Sequence, residues 1–176
     1  MDRKLAVILF LLLISATALT LAAYFFGIFP FDLKVAVALR GEENPAVAAL
    51  MTTVSFLGDG WVPVILVFAV TSICAWKKRW VEGAFVVATL SSGIIAGVLK
   101  MFVSRPRPPS FMLSPEDIFQ FFNQFAYPSG HVLFFVTFFG FCSYLAWKFL
   151  AGWLRGITLS ICAALILLIG PSRIYL

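Results

Sequence analysis

Lys100, Arg107, the run Pro128-Ser129-Gly130-His131 and Arg173 are the residues whose types and order could do chemistry. Lys100 stands about one turn before the end of a long apolar block, where its stem can carry the ammonium toward water. A lysine at the bilayer centre costs roughly 2.5–3.5 kcal/mol, so on its own it reads as a topology anchor. The residues after it change that reading. Ser104-Arg105-Pro106-Arg107-Pro108 puts two prolines around an arginine, which stops a helix and can turn Arg107 back toward Lys100. Two cations held together at a membrane edge repel each other unless an anion joins them.

The run at 128–131 opens the next long apolar block. Ser129 can cap a helix, Gly130 lets an atom approach the backbone, and the unpaired N–H groups of a first helical turn form an anion site. Any Ser-Gly pair could be an ordinary N-cap. This one also precedes His131, the one histidine of the sequence, and a histidine beside bound phosphate can give a proton to a leaving oxygen. The 40 residues from 132 to 171 suffice for one span across a bilayer, a short turn near Ala151-Gly152 and one span back. Arg173 therefore returns to the face that carries Lys100 and His131. Three cations at about 4 Å from one phosphate would each contribute on the order of 4 kcal/mol at an effective dielectric of ~20, before desolvation. That favours a doubly charged phosphate over a neutral group.

The elements that position these residues are membrane spans. Of 176 residues, 62% are hydrophobic and 12% charged, against roughly 45–50% and 25% in a soluble domain. The apolar residues fall into blocks near the ~20 residues that cross a bilayer. Five spans read out, at Leu5–Phe29, Trp61–Trp76, Val81–Val103, His131–Trp147 and Leu154–Gly170. The expected fold is all-α, a polytopic membrane helical bundle formed by a single domain over 1–176. Trp61, Trp76, Trp80, Trp147 and Trp153 mark the span ends as an interfacial belt. The first block is far longer than the roughly 7–15 residue core of a signal peptide, so it reads as an uncleaved span. Asn44-Pro45 supplies an N-cap and first-turn proline for an interfacial helix to about Phe56, ended by Gly58-Asp59-Gly60. Ser114-Pro115-Glu116-Asp117 does the same for a second one, which carries Ile118, Phe119, Phe121, Phe122 and Phe125 as an interfacial anchor.

Loops rich in lysine and arginine stay in the cytoplasm. With the N-terminus inside, that side holds Arg3, Lys4, Lys77, Lys78, Arg79, Lys148 and Arg155, and the other holds Lys34, Arg40, Lys100, Arg105, Arg107 and Arg173. The totals are nearly equal, but four of the outer six belong to the motifs above, and Lys34 and Arg40 share a loop with Asp32, Glu42 and Glu43. The N-terminus is expected in the cytoplasm and the site on the extracytoplasmic face of the cell membrane. The formal charge of +5 sits in short clusters between apolar blocks, which argues against nucleic acid as a partner. Cys74, Cys142 and Cys162 lie inside apolar blocks without CxxC spacing and read as small buried hydrophobes. No His, Cys, Asp or Glu cluster has metal-ligand spacing, so neither metal nor other cofactor is expected.

Lys100, six residues, Arg107-Pro108, then Pro128-Ser129-Gly130-His131, then Ser172-Arg173 resembles the signature of the type-2 phosphatidic acid phosphatases, a family of membrane lipid phosphatases. Each motif alone is weak, whereas the ordered set over about residues 45–176 is specific. The resemblance implies that Lys100, Arg107 and Arg173 hold phosphate oxygens, with Ser129 and the Gly130 N–H completing the cradle. It implies that His131 protonates the leaving oxygen of a lipid phosphate or diphosphate. The family attacks phosphorus with a second histidine, six positions after the arginine, oriented by an aspartate four further on. Both positions fall past Leu176, as does the usual sixth span. The chain therefore reads as five spans of six, truncated within a motif, and is expected to bind phosphate poorly and turn nothing over as it stands. A lipid phosphotransferase, or a non-catalytic lipid-binding or transport protein that kept the anion site, are the alternatives.

Overall fold

Short-range signals set several helix ends among the described residues. The computed structural model describes residues 3–26, 30–41, 44–104 and 127–176. They form α1 (Arg3–Phe25), α2 (Pro30–Arg40), α3 (Pro45–Phe56), α4 (Val62–Trp76), α5 (Trp80–Ala88), α6 (Ser91–Val103), α7 (Gly130–Phe149) and α8 (Gly152–Tyr175). Asn44 caps α3, its side chain accepting from the Ala46 N–H at 2.9 Å, as its sequence predicts. Ser129 caps α7, with the Val132 N–H pointing to Oγ at 3.5 Å. Gly152, at φ +57°, makes the turn from α7 to α8, a left-handed conformation that a residue with Cβ adopts at a cost. The second interfacial helix expected, over 114–125, lies outside the described residues.

Among the described residues, four stretches are long and apolar enough to cross a membrane: Ala6–Phe25, Trp80–Val103, Gly130–Phe149 and Gly152–Tyr175. The remaining expected span is α4, whose 15 residues reach about 22 Å, less than the ~30 Å hydrocarbon core. Contacts at its two ends show how far the segment reaches. Asp59, just before α4, bonds His131 at the start of α7, and Arg79, just after α4, lies over the Phe149 ring at the end of α7. With its flanking turns, α4 joins the same two ends that α7 joins. The other helices keep to this scheme. Glu82 of α5 meets Lys148 late in α7, Thr20 late in α1 meets Tyr127 just before α7, and α8 runs from Gly152 back to Arg173.

Three expectations are corrected in detail. The span beginning at Val81 is two helices, because a turn at Thr89-Leu90 separates α5 from α6. There the Thr89 hydroxyl donates to the Val86 carbonyl at 2.6 Å and that of Ser91 to Ala88 at 2.7 Å, competing with the ladder for its acceptors. The last helix does not end at Gly170; it runs through Pro171 to Tyr175, a proline being tolerated where neighbours re-satisfy the backbone in a membrane helix. Residues 30–40, read as loop, form the helix α2.

The core lies where α7 packs along α8, with α3 against α8, α6 against α7 and α4 against α5. Phe134, Phe135, Phe138 and Phe139 of α7 meet Val54, Val67, Val86, Cys162 and Ile169 there, with Phe134 stacked on Phe138 at 5.1 Å. Cys74 and Cys162 are buried and Cys142 is half-buried, all three as free thiols. The five tryptophans at helix ends are 64–78% exposed, as a belt at headgroup depth requires. The chain is thus an all-α membrane protein.

Candidate active site

Each described residue of the site sits at or near a helix terminus, at one end of the bundle. Lys100 is in the last turn of α6. Ser104 closes that helix in the left-handed region at φ +45°, its N–H bonding the Lys100 carbonyl at 2.9 Å. Ser129 and Gly130 start α7, where the first N–H groups have no intrahelical acceptor. His131 follows, its side chain 21% exposed. Arg173 is in the last turn of α8. Cations at helix C-termini complement the dipole, so Lys100 and Arg173 each have a local reason for their places. Their convergence has no such local reason: the charges of both bear on the His131 ring.

A segment that the sequence marks only as a helix stop provides the contacts. At the end of α3, Ser55 is buried, 1% exposed, and its Oγ accepts from Arg173 Nη1 at 2.7 Å. In the turn that follows, Asp59 Oδ1 accepts from His131 Nε2 at 2.7 Å. Between them Gly58 lies against the imidazole; a Cβ on it would fall 2.4 Å from His131 Cδ2, closer than any real contact. The sequence does carry a signal for this corner. A Gly-Asp-Gly turn puts a carboxylate at a span end in a chain with 8 acidic residues in all, and a serine in an apolar helix needs a polar partner when buried.

Gly130 has a different reason to be glycine than Gly58. A Cβ there would make only ordinary contact, 3.8 Å from Ala96 Cβ, so packing among the described residues does not require it. Ser172, next to Arg173, is wholly buried and bonds the Ile169 carbonyl at 2.9 Å, pinning the last turn of α8. Arg107, expected in the same cluster, lies outside the described residues. Among the described residues, no three His, Cys, Asp or Glu side chains come together as metal ligands would.

The arrangement defines a class: a polytopic membrane protein in which two cations and a histidine meet at one end of the bundle, suited to an anion. The sequence pattern of the PAP2 superfamily matches residues 82–176. The chain belongs to this superfamily, which supports a phosphatase-type activity on lipid-like substrates. No curated protein and no solved structure gives a match. Lys100, Ser129, Gly130, His131 and Arg173 fall inside the matched residues. Ser55, Gly58 and Asp59 fall outside them.

Proposed function

We propose that the protein is a membrane lipid phosphatase that removes the terminal phosphate from a phospholipid or polyprenyl diphosphate at the extracytoplasmic face. The observation that carries this reading is that Lys100 and Arg173, on two other helices, are both near enough for their charges to bear on His131. Lys100 and Arg173, with Arg107 by resemblance, neutralise the phosphate oxygens. Ser129 and the Gly130 N–H complete the cradle, using the donors and positive dipole end of α7. Charge that builds on the phosphoryl oxygens during transfer meets donors already in place, usually the largest contribution to rate in such a site. His131 gives a proton to the bridging oxygen as the P–O bond breaks, so that the lipid leaves as an alcohol, or as a monophosphate when the substrate is a diphosphate. By the family resemblance, the bond to phosphorus is formed by a second histidine as the P–O bond breaks, and water then cleaves the phosphohistidine.

The test is phosphate release from phosphatidic acid and from a polyprenyl diphosphate, in EDTA, with and without vanadate. It is run on the purified 1–176 chain and on the product of its whole coding sequence. The proposal expects vanadate-sensitive release from a product carrying the second histidine and none from 1–176. Release by 1–176 would contradict the phosphohistidine step. A stop codon directly after that of Leu176 would favour a non-catalytic lipid-binding protein. Release from lipid added outside sealed spheroplasts, and not from lipid presented only inside, tests the sidedness.

A further inference from the structure

The corner between α3 and α4 touches two residues of the proposed site yet belongs to none of the motifs. We propose that Asp59 is a positioning residue for His131, holding the imidazole by Nε2 so that Nδ1 is the nitrogen that serves the substrate. This rests on the phosphatase reading above and adds a residue that lies outside the superfamily match.

Three observations support it. The Nε2–Oδ1 distance is 2.7 Å, and a carboxylate can only accept, so the proton of that bond is on Nε2. Gly58 faces the same ring edge, its would-be Cβ lying 2.4 Å from Cδ2 and 3.2 Å from Nε2. The Cδ2–Nε2 edge is therefore committed to the corner, and the edge bearing Nδ1 turns away from it. Turned over about its long axis, the ring would present carbon to Asp59 and lose the bond. The third observation concerns charge. Arg173 and Lys100 both bear on the ring, and among the described residues Asp59 is the charged neighbour of opposite sign. A general acid must carry its proton before the step, and a carboxylate bonded to the far nitrogen favours that charged form. In the step, the imidazolium gives its Nδ1 proton to the leaving oxygen. It ends as neutral imidazole, still bonded through Nε2–H to the Asp59 carboxylate. Ser55 gives Arg173 a similar anchor at 2.7 Å, so a single corner fixes both a proton donor and a phosphate clamp.

The single histidine of the sequence makes a direct test practical. The 1–176 chain is labelled with ¹⁵N-histidine, purified through a histidine-free tag into nanodiscs, and observed by NMR. The expected result is one downfield, exchange-protected Nε2–H proton, lost in Asp59→Ala and weakened in Asp59→Asn, with the methyl spectrum of the core unchanged. An Nε2 without a proton, or a signal indifferent to Asp59→Ala, overturns the proposal. Kinetics on the product of the whole coding sequence then test the use of the contact. Asp59→Ala is expected to lower kcat roughly 10- to 100-fold with little change in KM, as loss of an oriented acid does. The loss shrinks on an aryl phosphate whose leaving group needs no proton, and Asp59→Ala adds nothing to His131→Ala. Independent, multiplying losses would show a merely structural residue and overturn the role. If no form of the protein releases phosphate while the proton signal behaves as expected, the contact stands and only the catalytic reading falls.

Discussion

The two ends of the bundle use their cations differently. At the end where α7 finishes, four cations have partners close by. Lys148 pairs with Glu82 at 2.9 Å, Arg79 lies 3.2 Å over the Phe149 ring, and Lys77 lies 4.7 Å over Trp76. Arg155 donates to the Leu150 carbonyl at 2.8 Å and faces Trp147. Such contacts anchor a helix end at a headgroup surface and leave no common focus. At the end where α7 starts, Arg173 and Lys100 bear on the same imidazole, and the partner of Arg173 is the neutral Ser55. Counting cations does not tell an anchor from a ligand site. Convergence of side chains from separate helices does.

Substitutions at the two ends should therefore differ in kind, and the product of the whole coding sequence is the form in which to compare them. His131→Ala should give the largest loss, roughly 10²–10⁴-fold in kcat for an alkyl phosphate. Arg173→Ala should cost on the order of 10²–10³-fold, and Arg173→Lys should recover part of it, since one point charge replaces a planar fork. Gly58→Ala should cost about 10²-fold, because the new Cβ displaces the ring from its productive position; unchanged activity would show that the corner can yield. Ser55→Ala removes one hydrogen bond to Arg173, about 1 kcal/mol, and should raise KM roughly fivefold. At the opposite end Lys148→Ala should leave phosphate release within about twofold, because an exposed ion pair contributes little. A large loss there would erase the distinction between the ends.

What could be read from the sequence follows from range. The cap at Asn44, the cap at Ser129 and the turn at Gly152 are set by residues within a few positions, and the apolar length of the spans is local too. The Lys100, His131 and Arg173 group was accessible because counting spans places all three on one side. Arg107 lies outside the described residues. The sequence marks the corner's polar residues but not their partners: Asp59 and His131 are 72 residues apart and Ser55 and Arg173 are 118 apart, and no periodicity encodes such a meeting. The Gly-Asp-Gly turn therefore read only as the end of a helix. The break at Thr89 was hidden because hydroxyl side chains sit comfortably within an apolar span until their own bonds to the backbone are seen. Helix α2 was hidden because its charges made it look like loop, although Lys34 and Arg40 are compatible with a short helix at an interface.

The most direct test of the central claim sets the two ends side by side. Vanadate-sensitive phosphate release from phosphatidic acid, in EDTA, is measured for the product of the whole coding sequence and for its Arg173→Ala and Lys148→Ala variants at equal amounts of folded protein. Activity lost in Arg173→Ala and kept in Lys148→Ala is the result predicted. Equal activity in the two variants, whether retained or lost, would contradict a phosphate site at the start of α7.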